Sequence, residues 1–330
     1  MNRDHVDAQQ AAFDAHRADP GDRPTMHARF EHNGSPRYLL YTIKRFGFDH
    51  AHGFHLDVDI VTDELESGME TIRHRLDAGG TDLVDTDYIS VARERAAGAR
   101  IVAVHPYGRT VGSLVAPEGT DVGGIADLPD HRIGVTRRLD KNWILTRAAC
   151  REDHGADPAE TVTLVEAESR DDLTRLIREG EVDAGFQFWP LVPELTRTGP
   201  YVEVVDVSDL VQRLARTDRK LPIATFVTGE SYLDAHPEAV RGFGAAARDG
   251  VGRLLTDDDL WIDIGDRLMR TDDLDVVRAV RDGWRDMVVR DWDAKTVAGM
   301  HRLFDHLKSV AGAEALGVEE IPGGTFETGP

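Results

Sequence analysis

Two short polar loops of this sequence carry the residue types that bind an oxyanion. One reads NGSPR (residues 33–37) and the other reads TRRLDKNW (residues 136–143), and each leads into an apolar segment typical of a helix. Backbone N–H groups at a helix start and arginine guanidinium groups both donate hydrogen bonds to sulfonate, carboxylate or nitrate oxygens. The candidate ligand-binding residues of these loops are Asn33, Ser35, Arg37, Thr136, Arg137, Arg138 and Asn142.

Two further stretches, DTDYIS (residues 85–90) and QFWP (residues 187–190), add polar and aromatic side chains. Their aromatic rings could pack against a planar or apolar part of a ligand. Together with neighbouring segments they contribute the candidates Thr86, Asp87, Tyr88, Tyr107, Arg109, Gln187, Trp189 and Thr225. Three alternatives stay open: the aromatic residues belong to a core edge, the arginines are surface charges paired with aspartate, or Asp85 and Asp87 bind an amine.

The elements that must position these loops recur in two similar halves. The first half reads strand, helix, strand, helix and strand at residues 26–30, 38–46, 56–61, 67–80 and 81–88. The second half repeats that order at residues 131–135, 143–150, 162–165, 169–180 and 182–186. We therefore predict two related α/β lobes, each with a mostly parallel sheet flanked by helices. Because ligands bind beyond the carboxyl ends of parallel strands, the loops are expected to meet in one cleft.

Helix boundaries support the repeat. Ser67 with Glu70 and Ser169 with Asp172 have the spacing of capping boxes, and Gly79–Gly80 and Gly180 are typical helix ends. Met69, Ile72 and Leu76 form the apolar face of the first of these helices, and Leu173, Leu176 and Ile177 that of the second.

Composition excludes several functional classes. The 330 residues are 41% hydrophobic and 30% charged, and no apolar run approaches the ~20 residues that span a bilayer. The net charge of −21 disfavours nucleic-acid binding, because phosphates would be repelled. The charge comprises 40 Asp and 20 Glu against 34 Arg and only 5 Lys, a bias typical of adaptation to high salt. We predict a halophilic source.

The N-terminus and the single cysteine have simple interpretations. Residues 1–25 are polar and aperiodic, which predicts a loose tail. They lack the basic and apolar regions of a signal peptide, so the chain as written is predicted to be cytoplasmic. Cys150 excludes an internal disulfide and is predicted to be a buried helix residue.

The stretch DHAHGFH (residues 49–55) raises the hypothesis of a metal site. His50, His52 and His55 lie close together, but no spacing such as HExxH is present. We interpret the stretch as a solvated loop, and we predict neither a bound metal nor a cofactor.

Several stretches resemble the substrate-binding proteins of nitrate, sulfonate, taurine and thiamine-pyrimidine ABC importers, which have the type 2 periplasmic-binding fold. The matching stretches are GFHLDVDIV, LDAGGTDLVDTDYISVARERAAGARIVAV, IADLPDHRIGV, IREGEVDAGFQFWPLVPEL, GESYLDAHPEAVRGF and LGVEEIPGGTF. They cover roughly residues 26–326.

The resemblance implies two lobes joined by crossover strands at residues 101–108 and 221–229, with hinge closure on a ligand. Lobe 1 would comprise residues 26–105 and 221–330, and lobe 2 residues 106–220. It also implies a monomer that captures a small anionic ligand for an ABC permease, usually outside the cytoplasm. In this arrangement the DHAHGFH stretch lies on an outer turn, away from the cleft.

Enzymes of similar fold provide the alternative function. Thiamine-pyrimidine synthases carry a Lys and a His after the third strand, where this chain has Thr86 and Ser90. They also carry a cysteine-rich iron motif, where this chain reads DRKLPIATF. Desulfinases need a cysteine in the first loop, and HNGSPR has none. A cytosolic lyase that uses Arg and His, with His32 and His105 as the nearest histidines, stays open as the alternative.

Overall fold

The computed structural model describes residues 2–62, 76, 80–109 and 112–328, and within them the chain forms two compact units. The first unit comprises Met1–Tyr107, Thr225–Asp286 and Gly323–Pro330, and the second comprises Gly108–Ala224 and Met287–Pro322. The predicted capping box of Ser67 and Glu70 lies outside the described residues, as do Met69 and Ile72. Leu76 is described as helical.

The described strands alternate with helices along most of the chain. The strands are β1 (Thr25–Glu31), β2 (His55–Val61), β3 (Val84–Asp87), β4 (Ile101–Gly108), β5 (Gly112–Pro117), β6 (Arg132–Val135), β7 (Thr163–Glu166), β8 (Ala184–Phe188), β9 (Tyr201–Asp206) and β10 (Ala224–Gly229).

The first half of the chain contributes helices α1 (Asn2–Asp14), α2 (Pro36–Phe46), α3 (Phe48–Ala51), α4 (Tyr88–Ala96), α5 (Lys141–His154) and α6 (Arg170–Glu179). The second half contributes α7 (Val192–Thr198), α8 (Val207–Ala215), α9 (Glu230–Ala235), α10 (Pro237–Thr256), α11 (Asp258–Ile264), α12 (Leu274–Met287), α13 (Ala294–Ala311) and α14 (Ala313–Leu316). Among the described residues, no helix combines the length and hydropathy needed to cross a bilayer.

In the first unit, β1 and β2 pair in parallel, and a parallel bridge between Ala28 and Leu83 links them to the three-stranded sheet β3-β10-β4. The strand order is therefore β2-β1-β3-β10-β4. In β1 and β2, alternate residues such as Met26, Phe30 and Leu56 are buried, as the period-two pattern predicts. The amphipathic helix α10 buries Phe243, confirming that this segment packs in the first unit.

The second unit has the corresponding strand order, β7-β6-β8-β5-β9. Strand β6 is parallel to β7 and β8, while β5 is antiparallel to β8 and β9. In the first unit β1 lies between β2 and β3, and in the second unit β6 lies between β7 and β8. The next strand is β10 in the first unit and β5 in the second. The predicted pair of similar α/β units is confirmed, but the sheet of the second unit is mixed, because β5 is antiparallel to both of its neighbours.

Local signals mark the helix ends in the second unit correctly. The Ser169 hydroxyl accepts a hydrogen bond from the Asp172 amide at 3.0 Å, and Gly180 ends α6 with φ of 67°.

Cys150 lies in α5 and is 3% exposed, as predicted, and burial raises the pKa of its thiol to about 12. Gly112 is required where β5 approaches β8, because a Cβ there would lie 2.1 Å from the Gln187 carbonyl oxygen.

The structure corrects the prediction that residues 1–25 form a loose tail. Residues Asn2–Asp14 form α1, in which Ala12 and Phe13 are buried. The Gln10 side chain donates to the Val58 carbonyl at 3.0 Å and accepts from the Ile60 amide at 2.9 Å. Because two glutamine amides and a short apolar face anchor this helix, the sequence shows little hydrophobic periodicity there.

Two boundaries also differ from the sequence-based assignment. Residues 287–322 were assigned to lobe 1, but they lie in the second unit, where α13 packs on α5 and α8. Strand β8 ends at Phe188 rather than at Phe186, since it pairs with β5 as far as Gly112. The predicted crossovers at 101–108 and 221–229 coincide with β4 and β10, where the chain passes between the units.

The solvated-loop interpretation of DHAHGFH is wrong. Asp49 is 1% exposed and His55 is 4% exposed, because α3 and the start of β2 fold against α2 and α10. Lys44 reaches this stretch from α2 and its ammonium lies 3.0 Å from Asp49 Oδ2.

Candidate functional site

Three candidate residues of the first unit lie at the start of α2, at the carboxyl end of β1. Asn33, Ser35 and Arg37 are all buried, with exposures of 5%, 0% and 5%. The Arg37 guanidinium donates to the Gly34 carbonyl and to the Tyr38 hydroxyl, and its carbon lies 4.5 Å from the centroid of the Tyr38 ring. The loop therefore presents a fixed guanidinium group beside a helix start.

The start of α2 differs in its cap from the starts of α4, α5 and α6. Ser35 occupies the N-cap without a side-chain hydrogen bond to the helix, and Pro36 fills the first position. By contrast, the α4, α5 and α6 starts are capped by the side chains of Asp87, Asp140 and Ser169. Of these four described helices, α2 alone lacks a side-chain cap at its positive end.

Another candidate residue, Tyr107, lies next to this loop. Tyr107 is buried with its hydroxyl near Ser35, and it accepts a hydrogen bond from Trp284 Nε1 at 3.0 Å. Burial raises the pKa of Tyr107 well above its ordinary value, and the Asp85 carboxylate acts in the same direction. The Tyr107 phenol therefore stays neutral and is available as a hydrogen-bonding group.

The exit of β3 is anchored within the first unit. Asp87 accepts hydrogen bonds from the Ser90 amide and hydroxyl at 2.8 and 2.7 Å, and Thr225 donates to the Thr86 carbonyl at 3.3 Å. Tyr88 is fully buried with its ring centroid 6.1 Å from that of Phe326.

In the second unit, the loop after β6 is organised around Asp140. Its carboxylate accepts hydrogen bonds from the Asn142 amide at 2.8 Å and from the Thr136 hydroxyl at 3.1 Å. Asn142 is 1% exposed, and its side-chain oxygen accepts from the Gly112 amide at 2.6 Å. Because Asp140 already supplies an anion to the α5 N-terminus, this helix start is less suited to an oxyanion than the sequence indicated.

An aromatic surface lies next to this loop at the end of β8. The Phe188 ring is half-buried, with the Arg170 guanidinium carbon 4.3 Å and the Lys141 ammonium 5.1 Å from its centroid. Gln187 is fully buried and donates to the Thr174 hydroxyl at 2.7 Å and to the Arg170 carbonyl at 3.1 Å. Gln187 thus positions Arg170 and the strand end. We call Phe188, Arg170 and Lys141 the Phe188 cluster.

The remaining candidates of the second unit are less enclosed. Arg137 and Arg138 are exposed, and the Arg138 amide donates to Glu166 at 3.3 Å. Arg109 is half-buried and its amide donates to the Met287 carbonyl at 2.9 Å. Trp189 is also half-buried, and its indole Nε1 is buried without a hydrogen-bond partner in the described structure.

Sequence reasoning did not identify Arg170 as a site residue, for a structural reason. Arg170 follows β7 by four residues, and its position over Phe188 depends on the pairing of β6 with both β7 and β8. The Phe188 ring was interpreted as part of an aromatic run, without the neighbouring cations. The sequence did contain a signal, because Arg170 and Lys141 are cations at the starts of helices, where a positive charge is electrostatically unfavourable.

The family model described as NMT1/THI5 like matches residues 44–259. Among curated proteins, no sequence matches. The alkanesulfonate-binding protein SsuA of Xanthomonas axonopodis pv. citri, bound to MOPS, is 14% identical with a TM-score of 0.69, covering 94% of this chain and 97% of its own.

Two further solved structures share the fold. The periplasmic aliphatic sulphonate binding protein SsuA of Escherichia coli is 14% identical with a TM-score of 0.66, covering 88% of this chain and 94% of its own. The desulfurization enzyme DSZB is 18% identical with a TM-score of 0.56, covering 90% of this chain and 97% of its own. At these identities the likeness shows the periplasmic-binding fold, which both binding proteins and an enzyme adopt.

Proposed function

Because the chain belongs to the NMT1/THI5-like family, we propose that it is a solute-binding protein that captures a small organic anion. The observation that carries the proposal is the start of α2, which has no side-chain cap and lies beside the buried guanidinium of Arg37. A helix start without its own carboxylate, next to a fixed guanidinium, favours an oxyanion through the helix dipole and charge-assisted hydrogen bonds. Sulfonates bound by proteins of the same fold are the first class to test.

The Phe188 cluster supports the same class of ligand in the second unit. Its two cations and its ring suit a ligand that has an acidic group joined to a planar or apolar part. We propose that the α2 start and the Phe188 cluster each bind an anionic ligand, which the protein then delivers to an ABC permease. Affinity then comes from desolvated donors and aromatic contact without covalent chemistry.

The proposal is tested by a thermal-shift screen followed by calorimetry. The screen contains alkyl and aryl sulfonates, nitrate, aromatic carboxylates, pyrimidines and amines at molar salt. We expect a sulfonate or carboxylate to stabilise the protein. No shift with any anion, together with a shift for an amine, would contradict the anion class and favour Asp85 and Asp87 as the binding groups.

The role of the α2 start is tested by a pair of nearly isosteric variants. Ser35→Asp supplies the carboxylate cap that Asp87 and Asp140 provide elsewhere, whereas Ser35→Asn supplies a neutral cap of the same size. We expect Ser35→Asp to weaken binding of the best ligand at least tenfold relative to Ser35→Asn. Equal affinities for the two variants would contradict oxyanion binding at this helix.

The role of the Phe188 cluster has a matched control within the chain. Phe46 is also half-buried and lies below two guanidinium groups, those of Arg45 at 5.8 Å and Arg253 at 4.7 Å, but it ends α2 at the opposite edge of its sheet. We expect Phe188→Ala to weaken ligand binding severalfold, while Phe46→Ala leaves the affinity unchanged. A double-mutant cycle of Phe188→Ala with Ser35→Asp then tests whether the two substitutions change the affinity independently, since independent sites give no coupling.

The enzymatic alternative is separated by following the ligand. The best ligand is incubated with the protein and then analysed by mass spectrometry. A ligand that is only bound is recovered intact, whereas a substrate is converted into a product. The fold shared with DSZB makes this measurement necessary, and turnover would replace the solute-binding proposal with a lyase.

We also propose adaptation to concentrated salt, on the basis of the net charge of −21 and the low lysine content. Raising KCl from about 0.1 M to about 2 M shortens the Debye length from ~10 Å to below 3 Å and screens the repulsion among the excess carboxylates. We expect the melting temperature to rise over this range, and a fall would contradict the proposal.

A further inference from the structure

The turn between α3 and β2 brings two histidines and an aspartate together in the first unit. A ligand atom from each of Asp49, His50 and His55 lies within 4.8 Å of the other two. His50 Nε2 and His55 Nδ1 are 2.9 Å apart. In a tetrahedral site with metal–nitrogen bonds of ~2.05 Å, two ligand nitrogens are about 3.3 Å apart, so a small movement would admit an ion.

The three side chains are held in place before any ion binds. Asp49 is 1% exposed and His55 is 4% exposed, whereas His50 is half-buried and leaves one side open to solvent. The Asp49 carboxylate accepts hydrogen bonds through Oδ2 from the Leu56 amide and the Lys44 ammonium, both at 3.0 Å. These bonds orient the carboxylate as the outer contacts of metal-ligating groups do.

The contact between the two imidazoles identifies a lone pair that a metal ion could use. At 2.9 Å one ring nitrogen donates a hydrogen bond and the other accepts it through its lone pair. Neutral imidazole nitrogen and carboxylate oxygen are ligands that Zn²⁺ prefers. A metal ion would bind both nitrogens once the donor ring changes tautomer, so that its proton moves to its other ring nitrogen.

We propose that Asp49, His50 and His55 form a three-ligand site for a divalent transition-metal ion such as Zn²⁺. The solvent-facing side next to His50 leaves the fourth position for water. The site lies at the amino end of β2, whereas the α2 start lies at the carboxyl end of β1, and these strands are parallel. It is therefore independent of the proposed ligand site, and it would stabilise the connection from α3 to β2.

Lys44 limits the affinity of this site. Its ammonium is 5% exposed and lies 3.0 Å from Asp49 Oδ2, so it competes for the carboxylate and repels a dication. Replacing Lys44 with methionine would remove this repulsion while keeping a side chain of similar length. The electrostatic argument predicts tighter metal binding in Lys44→Met than in the natural sequence.

The test is a titration of tag-free protein with Zn²⁺ by calorimetry and with Co²⁺ by visible absorption. We expect one equivalent to bind and Co²⁺ to give the intense bands of a tetrahedral site. His50→Ala should weaken binding at least tenfold, and because His50 is half-buried this variant is expected to fold. His52→Ala is the matched control, since His52 belongs to the same turn but lies 2.7 Å from Asp249 instead.

Each outcome bears on the proposal. Loss of binding in His50→Ala with retention in His52→Ala, and tighter binding in Lys44→Met, support it. Absence of stoichiometric Zn²⁺ binding by the folded protein overturns it, as does equal binding by His50→Ala. Loss of binding in His52→Ala to the same extent would show dispersed binding by surface histidines and would also overturn it.

Discussion

The loops that follow β1 in the first unit and β6 in the second occupy equivalent positions and have different physical character. In the first unit the β1–α2 loop is buried, and Arg37 is 5% exposed beside a helix without a side-chain cap. In the second unit the β6–α5 loop exposes Arg137 and Arg138, and Asp140 caps its helix. Duplication preserved the strand order but not the distribution of charge.

The comparison indicates that the two loops contribute differently to the binding of an anion. A buried guanidinium is already desolvated and fixed, so it supplies a strong and specific interaction at little further entropic cost. Exposed arginines are hydrated and screened by salt, so they contribute mainly to long-range attraction of an anion. The four predictions below test how the two loops and the two units differ, in order of decreasing effect.

The largest expected effect is on stability. Arg37→Ala removes a buried side chain and leaves the Gly34 carbonyl and the Tyr38 hydroxyl without their donor, so we expect a loss of about 3 kcal/mol in the free energy of unfolding. Arg137→Ala, in the exposed loop, should change it by no more than about 0.5 kcal/mol. Urea unfolding of both variants provides the measurement, and similar losses would contradict the comparison.

A second effect distinguishes the units by pH. Burial lowers the pKa of His105 in the first unit to about 4, while its Nδ1 bonds to the Pro106 carbonyl at 2.7 Å. The pKa of His105 in the folded protein lies below its ordinary value of 6.5. The contribution of neutral His105 to the free energy of unfolding is therefore complete above pH 6.5 and is lost as the pH falls towards 4. We expect a loss of about 3 kcal/mol over that range, from 1.36 kcal/mol per pKa unit.

Urea unfolding at several pH values between 7 and about 4 measures the His105 contribution. His105→Gln should flatten the pH dependence in this window, because the variant cannot take up the proton. An unchanged slope in His105→Gln would assign the acid sensitivity to other groups.

In the second unit the corresponding effect occurs in stronger acid. Burial disfavours the charged form of Asp157, but hydrogen bonds from Arg147, from the Ala159 amide and from Arg151 outweigh it and lower its pKa to about 2. This contribution is complete above about pH 4 and is lost as the pH falls towards 2, amounting to about 2 kcal/mol.

Asp157→Asn is the variant that isolates this contribution. It should remove the pH dependence below pH 4 while leaving the window between pH 6.5 and about 4 unchanged. Acid unfolding followed by a spectroscopic signal from each unit separates the two windows. A change in the upper window would show that Asp157 does not act locally.

The smallest expected effect is on ligand affinity in salt. Arg137→Ala should weaken binding of the best anion only a fewfold at low salt, and the difference should vanish in about 2 M KCl because exposed charges are screened. The Ser35→Asp effect, in contrast, should persist at high salt because Ser35 is fully buried. Calorimetry at two salt concentrations checks both, and a persistent Arg137 effect would place that guanidinium in direct contact with the ligand.

The sequence alone predicted the architecture of this protein because the relevant signals are local. Period-two and helical patterns located the strands of both units, and the Ser169–Asp172 and Gly180 signals located the ends of α6. Each of these signals involves residues within one or two turns of one another, so they survive without knowledge of the rest of the chain.

Tertiary structure decided which of the candidate residues are buried and which are exposed. Gln9 anchors α1 by bonding to the Leu268 carbonyl, and Tyr107 bonds to Trp284, in both cases across more than 170 positions of sequence. The local sequence around Asp49 and His55 is typical of a solvated turn, but both residues are buried by packing in the folded protein. Desolvation depends on all neighbours in space, so no local pattern could distinguish the buried Arg37 from the exposed Arg137.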